Sequence, residues 1–315
     1  MNALRHALGM QNPRSKAYTP EELLERAAQR EAQGRKNAGA SGGTVSPPRA
    51  GEGNQGAVLP ALPAFSGEYF HLTGDFGRTM HERILKKYAG IPAIDAVVFD
   101  TQEKIVKGSN PPYVVAVNEQ FRELYPGEDI RTVTQAELEQ IVQANPDFVR
   151  NRYEDSSLVW RSLQEPNEYL ARDIHNQFQK QGKVLQLGIP HVIPLYTLAL
   201  RHDAQSPEKL AFVILPETTY FIAPMLNHES QKRFESSDVD RATGFPTTVR
   251  EQGSRILYTR NWKDYTIKNS GLVGAYLGRD LGVGSYCEDL SGSGAVGRVV
   301  CTAPQALRKK IGAGV

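Results

Sequence analysis

The segment Leu272–Tyr286 reads LVGAYLGRDLGVGSY, and its residues alternate between two kinds. The odd positions are mostly aliphatic: Val273, Ala275, Leu277, Arg279, Leu281, Val283 and Ser285. The even positions are mostly glycine, with tyrosine at 276 and 286. Alternation with a period of two places the two sets on opposite faces of an extended chain. We therefore predict that the odd face lies in the core and that the even face looks out to water.

Glycine is unusually frequent around this segment. Eight of the 27 residues from Gly271 to Gly297 are glycine, whereas a background usage of about 7% predicts two. Glycine is a poor strand residue, so the composition needs a reason. Three explanations stay open: a β-arch in which backbones approach closely, a flexible substrate lid, or a surface whose codons have been rewritten.

The third explanation follows from the genetic code. If the even positions once carried AAY codons for Asn and only adenines were replaced, the products are Gly, Cys, Tyr, Asp and Ser. Nine residues of the segment belong to this set: Gly274, Tyr276, Gly278, Gly282, Gly284, Tyr286, Cys287, Gly292 and Gly294.

On these residues the C-terminal segment resembles the variable region of target proteins of diversity-generating retroelements, in which a reverse transcriptase rewrites one end of a gene at template adenines. The resemblance covers about residues 253–302 and includes Gly253-Ser254-Arg255-Ile256-Leu257 ahead of Trp262, and Gly297-Arg298-Val299-Val300 at the end. It departs from the family pattern in two places. The Phe before the final Arg is missing, and Thr259-Arg260-Asn261 replaces the usual Gly-Gly-Ser before Trp262.

The resemblance implies a C-type-lectin-like domain that binds a protein or another macromolecular ligand through diversified side chains. The nine positions given above would be the display positions, and Trp262 would be a core aromatic near them. The scaffold would be formed by Leu272, Leu277, Leu281, Val283, Leu290 and Val299. Tyrosine, serine, glycine and asparagine are also the residues that antibody loops use for binding.

The rest of the chain predicts an α+β domain behind a flexible tail. Residues 1–64 combine a helix, which opens at Thr19-Pro20-Glu21-Glu22, with a linker rich in glycine and proline. Residues 65–302 form the ligand-binding domain, with the variable segment at 272–297, and residues 303–315 form a C-terminal tail. Helices are predicted at 78–90, 134–144 and 166–182. Strands are predicted at 94–100, 113–118, 183–187, 191–200, 209–215, 218–223, 255–259 and 298–302.

Composition argues against several classes of protein. The net charge of the 315 residues is +2, which disfavours a nucleic-acid binder. No run approaches the roughly 18 apolar residues of a membrane span, and no signal peptide is visible, so a cytoplasmic or particle-associated protein is expected. Two cysteines, Cys287 and Cys301, form no metal cluster. Whether they pair is open, and no cofactor or metal is expected.

Two other functions stay open. An enzyme would have its site within residues 65–250, around His191 or Glu217. An assembly or virion component would dock through its N-terminal helix to a partner. The G-x-G-x-x-G motif at Gly292–Gly297 is a weak sign of dinucleotide binding, because a strand-like run follows it instead of the helix N-terminus that phosphate binding requires.

Overall fold

The protein has a mixed α and β architecture in the computed structural model, which describes residues 69–227, 231–259, 271–287, 289–304 and 307. The predicted N-terminal helix, the linker, Trp262 and most of the C-terminal tail lie outside the described residues. Among the described residues, no helix combines the length and the apolar character needed to cross a membrane.

Five helices lie in the described part of the chain. They are α1 Gly74–Lys87, α2 Pro92–Asp95, α3 Pro111–Leu124, α4 Gln135–Ala144 and α5 Tyr169–Lys180. The predictions at 134–144 and 166–182 are confirmed, and α1 begins four residues before its predicted start. The Thr134 hydroxyl accepts a hydrogen bond from the Glu137 N–H, and the Glu137 carboxylate accepts one from the Thr134 N–H, so the predicted capping box starts α4.

The described residues also contain fourteen short strands. They are β1 Tyr69–His71, β2 Val98–Asp100, β3 Ile105–Lys107, β4 Arg131–Thr132, β5 Glu154–Trp160, β6 His191–Pro194, β7 Leu198–His202, β8 Leu210–Ile214, β9 Phe221–Ile222, β10 Lys232–Phe234, β11 Arg255–Thr259, β12 Leu272–Leu277, β13 Val283–Cys287 and β14 Val300–Thr302. Seven form a central sheet in the order β10-β11-β13-β12-β5-β6-β9. Only β11 and β13 run parallel in that sheet.

Three sequence predictions about these elements are wrong. Residues 113–118 form the middle of α3, because the Asn110 side chain caps the helix and Pro111-Pro112 fill its first turn. A fully buried helix and a buried strand show the same unbroken apolar run. Residues 183–187 form no strand, and residues 94–100 divide between α2 and the short β2.

The central sheet is buried on both faces. On one face Leu272, Leu158 and Trp160 pack with α1, α3 and α5 in the largest core cluster. On the other face Val273, Ala275 and Val283 form a second cluster. A third cluster joins Leu277, Leu281 and Val300 to α4. All six predicted scaffold residues are at most 8% exposed, which confirms that they belong to the core.

The segment at 272–286 is a β-hairpin, not one continuous strand. The Gly278 N–H donates to the Gly282 carbonyl at 2.7 Å, and the Leu281 N–H donates to the Gly278 carbonyl at 2.9 Å. Leu281 has a φ of +65°, a conformation that is costly for a branched side chain and persists only when its surroundings impose it. Arg279 and Asp280 occupy the tip and are exposed, so the prediction that Arg279 points inward is wrong.

The Gly-x-Arg-x-Leu motif supplies part of what imposes this turn. Arg255 is buried on β11, and its Nε donates to the Leu281 carbonyl at 2.7 Å. Its two terminal nitrogens form a bidentate pair with the buried Glu139 of α4 at 2.5 and 2.6 Å. Gly253 is needed because a Cβ there would lie 2.8 Å from the Phe234 carbonyl oxygen. The motif therefore connects α4 to the hairpin turn through a guanidinium group.

A second buried arginine holds the other end of β13. Arg161 is 2% exposed, and its Nη2 donates to the Ser285 carbonyl at 2.9 Å, while Nη1 donates to the Leu226 carbonyl. Both arginines bind main-chain oxygens of the hairpin. Side chains on its outer face take no part in these bonds.

We expect Arg255→Leu to lower the free energy of unfolding by about 3–5 kcal/mol, because it leaves the Glu139 carboxylate buried without its counter-charge. Denaturant unfolding followed by circular dichroism measures this loss. The double variant Arg255→Leu/Glu139→Leu should recover much of it, and Arg150→Ala, at an exposed ion pair with Asp147, should cost less than about 1 kcal/mol. Equal losses for Arg255→Leu and Arg150→Ala would contradict this role of Arg255.

Candidate functional site

A cleft of about 880 Å³ opens on the outer face of the hairpin. Its size falls within the range of ligand-binding pockets. Five of the nine predicted display positions line it: Gly274, Tyr276, Gly278, Gly292 and Gly294. The other lining residues are Ser109, Pro111, Arg150, Asn151, Tyr153, Asp155, Tyr258, Arg279, Asp280, Asp289 and Leu290. The even face of the segment therefore looks into a concave site.

The prediction of an open, water-facing even face needs correction. Gly274, Gly278, Gly282 and Gly284 are all buried, and Tyr276 is half-buried. At the cleft-lining positions the reason is that residues from β5, the start of α3 and the segment 289–297 form the cleft around them. Gly282 and Gly284 are instead covered by the rings of Tyr258 and Tyr276. The side chains of Tyr286 and Cys287 lie outside the described residues, so their predicted role stays a prediction.

Gly282 and Gly284 do not line the cleft. Gly284 lies opposite Tyr276 on the neighbouring strand, and the Tyr276 ring covers it. A Cβ at 284 would lie 2.1 Å from that ring. A Cβ at 282 would lie 2.6 Å from the carbonyl oxygen of Ile256 and 2.8 Å from the Tyr258 ring. A side chain at 284 thus requires Tyr276 to move, and one at 282 requires the backbone to move.

Two cleft glycines have room for a side chain. A Cβ at Gly274 would meet Pro111, Asp155 and Leu290 at 3.4–3.9 Å, and a Cβ at Gly294 would meet Tyr153 at 3.5 Å or more. These are ordinary van der Waals distances. Gly278 and Gly292 are tighter, with nearest approaches of 3.1 and 3.0 Å to aspartate side chains.

A β-bulge brings Asp155 into the cleft. In the pairing of β12 with β5, Ala275 opposes Ser157 but Tyr276 opposes Asp155, so Ser156 is the extra residue. In a regular strand, Asp155 and Leu158 are three residues apart and would lie on opposite faces. The extra residue places both on the same face of the sheet, since Leu158 opposes Gly274 and Asp155 opposes Tyr276. Bulges commonly redirect a side chain in this way next to functional sites. The Asp155 N–H donates to the Ser109 hydroxyl at 3.2 Å, which attaches this part of β5 to the start of α3.

The segment 289–297 forms the wall of the cleft opposite β5. Residues just before α3 hold this segment in place. The Ser109 N–H donates to the Ser293 hydroxyl at 3.0 Å, and the Asn110 amide donates to the Ser291 carbonyl at 3.3 Å. The odd positions Ser291 and Ser293 therefore contact neighbouring groups, whereas the even positions Gly292 and Gly294 line the cleft.

Tyr153 connects the two walls. Its hydroxyl donates toward the carbonyls of Ser109 and Gly294 at 3.2 and 3.3 Å, and it accepts from the Gly294 N–H. Its ring lies edge to face with the Tyr276 ring, with centroids 6.4 Å apart. The cleft thus has an aromatic side next to the apolar surface of Pro111 and Leu290.

Asp155 and Glu154 are neighbours whose pKa values are both raised. Burial raises the pKa of the Asp155 carboxyl to about 6 from its ordinary 3.8, while a hydrogen bond with Ser109 lowers it. Burial raises the pKa of Glu154 well above its ordinary range, since neither of its carboxyl oxygens has a hydrogen-bond partner among the described residues. Burial therefore favours the protonated form of both carboxyls, and at neutral pH Asp155 is mostly ionised.

Charged groups lie along the rim. Arg150, Arg279, Asp280 and Asp289 are exposed there. Asp280 accepts from the Tyr258 hydroxyl and from the Gly282 N–H. Asp289 accepts from the N–H groups of Ser291 and Gly292, both at 3.0 Å. These acidic side chains therefore also fix the loops on which they lie.

Sequence reasoning missed Asp155, Tyr153 and Ser109. Tyr153 and Asp155 belong to a stretch, residues 153–160, that we did not predict as a strand, although YEDSSLVW ends in an apolar run. Ser109-Asn110-Pro111 carried a helix-cap signal, which would have placed a helix N-terminus here. The bulge that redirects Asp155 left no local signal.

The residues of the predicted alternative enzyme do not lie in the cleft. His191 is buried, with its ring nitrogens bonded to the Ile189 carbonyl and the Gln186 N–H, and burial lowers its pKa to about 4. Glu217 is exposed. Cys301 is a buried free thiol in the described part of the chain. No three His, Cys, Asp or Glu side chains of the described residues are placed to hold a metal ion.

No protein-family model matches the chain, and neither a curated protein nor a solved structure matches it significantly.

We expect Asp155→Asn to stabilise the protein above pH 6 and to leave its stability unchanged near pH 4. The folded-state pKa of about 6 exceeds the unfolded value of 3.8, so the parent loses stability as pH rises through this window, by about 3 kcal/mol in total. Urea unfolding at pH 4 and pH 7.5 measures the difference.

Asp129→Asn is the matched control, because this aspartate is exposed and lies outside the cleft. It should change the free energy of unfolding by less than about 0.5 kcal/mol at both pH values. A gain for Asp155→Asn that is the same at pH 4 and pH 7.5 would show that ionisation of Asp155 is not its cause.

Proposed function

We propose that the protein binds a macromolecular ligand in the cleft, and that the side chains at 274, 276, 278, 292 and 294 decide which ligand it binds. The observation that carries this proposal is the meeting of these five positions, which are up to 20 residues apart in the chain, around one cavity. They were selected from the sequence by the period-two alternation and the codon set, without reference to the fold. A purely structural role for the glycines would not require them to share a cavity.

The way the hairpin is held supports diversification of these positions. Arg255 and Arg161 bind the carbonyls of Leu281 and Ser285, and aliphatic side chains anchor the inner face. Substitutions at positions with open space usually change stability by less than about 0.5 kcal/mol. At Gly274 and Gly294 a Cβ would meet its neighbours at 3.4 Å or more, so a side chain can be added there without moving the backbone.

The C-type-lectin-like fold belongs to the same proposal. It rests on the resemblance of residues 253–302 and on the use that the chain makes of the resembling motif. Gly253 permits close contact with β10, Arg255 holds the hairpin turn, and Leu257 is buried in the second core cluster. Each element of the motif thus has a role in supporting the proposed ligand-binding hairpin.

The DNA around the gene tests the proposed function. We expect a reverse-transcriptase gene nearby and a near-identical copy of the stretch that encodes residues 272–297. The copies should differ only where the template has adenine, and the codons for 274, 276, 278, 292 and 294 should be among those that differ.

Gly297 supplies an internal control for this comparison. A Cβ there would lie 2.6 Å from the Ser109 backbone nitrogen, so its codon should be the same in both copies. Absence of both the second copy and the reverse transcriptase would contradict diversification, as would differences spread equally over template adenines and other bases.

A further inference from the structure

The floor of the cleft carries a carboxylate with unused hydrogen-bonding capacity. Asp155 lines the cleft as a half-buried residue. Its Oδ2 atom is shielded from water and accepts no hydrogen bond from any described residue. A buried carboxylate oxygen without a donor is costly, and such groups in native proteins usually call for a functional explanation.

Gly274 leaves this carboxylate open to the cleft. A Cβ at 274 would lie 3.6 Å from Asp155 Oδ1 and 3.4 Å from the Pro111 ring. Any longer side chain at 274 would extend over the carboxylate and restrict access to it. The glycine in this chain therefore opens a path from the cleft to Asp155 Oδ1.

The surroundings of Asp155 favour a cation over an anion. Asp280 and Asp289 add two carboxylates to the rim. Of the two rim arginines, Arg150 lies 3.3 Å from the carboxylate of Asp147, which offsets its charge. The Tyr153 and Tyr276 rings, in edge-to-face contact, add electron-rich faces of the kind on which guanidinium and ammonium groups stack.

From this arrangement we propose that the cleft binds a guanidinium or primary ammonium group, paired with Asp155 and flanked by Tyr153 and Tyr276. Its source is an arginine or lysine side chain that projects from the ligand. This inference rests on the proposed function and names the chemistry of the site. The cleft volume of about 880 Å³ leaves room for the residues on either side of that side chain.

Carboxylate and guanidinium match in geometry, because two parallel N–H groups can bind both oxygens or one oxygen and a neighbouring acceptor. Asp155 Oδ1 faces the space above Gly274, and the Ser109 hydroxyl lies next to it. Pairing through Oδ1 would place a positive charge beside a buried carboxylate whose other oxygen, Oδ2, accepts no hydrogen bond from the described residues.

Titration of the full chain with n-butylguanidinium and with its neutral isostere N-butylurea tests the inference. Calorimetry at pH 7.5 and low salt is the measurement, and N-acetyl-Gly-Arg-Gly-amide is the peptide probe. We expect saturable binding of the guanidinium and at least tenfold weaker binding of the urea. Tighter binding of the peptide than of butylguanidinium would assign the cation to a protein ligand, and equal binding would assign it to a free small cation.

Two variants show whether Asp155 is the partner. Asp155→Asn should weaken guanidinium binding at least tenfold, and Gly274→Leu should do the same by covering the carboxylate. Asp129→Asn, at an exposed aspartate outside the cleft, is the matched control and should weaken binding less than threefold. Circular dichroism confirms that each variant is folded before it is titrated.

Equal binding of the urea, or unchanged binding by Asp155→Asn, would overturn the inference. So would preferential binding of acetate, which would point to the rim arginines. None of these results would alter the expectation of a template copy beside the gene, so failure of the cation site and failure of the proposed function are distinguishable.

Discussion

Two buried guanidinium groups fix the hairpin that forms the cleft. Arg255 holds the Leu281 carbonyl while it is paired with Glu139, and Arg161 holds the Ser285 carbonyl from the same inner side. Main-chain oxygens are present whatever the side chain is. The turn, including the unfavourable φ of Leu281, is therefore held largely by groups outside the cleft. Among the cleft-lining side chains, Asp280 adds one bond to the turn, from the Gly282 N–H.

The glycines of this region serve two different physical purposes. At Gly253, Gly282 and Gly297 a backbone atom of another segment lies within 2.8 Å of where a Cβ would be, so only glycine fits. At Gly274 and Gly294 a Cβ would make only ordinary van der Waals contacts, at 3.4 Å or more, next to the cleft. Amino-acid composition alone does not distinguish these two groups of glycines. The proposed binding surface therefore lies between close backbone contacts that require glycine, and these contacts limit which positions the proposed diversification could change.

The period-two pattern and the helix-capping signals predicted the buried side of the hairpin, α4 and α5, because these depend on neighbours in the sequence. They did not predict α3, whose unbroken apolar run at residues 113–118 also fits a strand. Nor did they predict β5, or the bulge at Ser156 that turns Asp155 into the cleft. The bulge arises from the pairing of β5 with β12, more than 100 residues away in the chain, so it leaves no local periodicity. The glycines of the cleft were therefore predictable from the sequence, but its carboxylate, Asp155, was not.

The central claim is that cleft-facing positions are independent of the fold, and matched glycine substitutions test it most directly. The measurement is the free energy of unfolding of Gly274→Asn/Gly294→Asn beside that of Gly282→Asn, from urea denaturation under one set of conditions. We expect the double variant to stay within about 1 kcal/mol of the parent. Gly282→Asn should lose several kcal/mol, since its Cβ would lie 2.6 Å from the Ile256 carbonyl oxygen. A double variant as unstable as Gly282→Asn would contradict the claim.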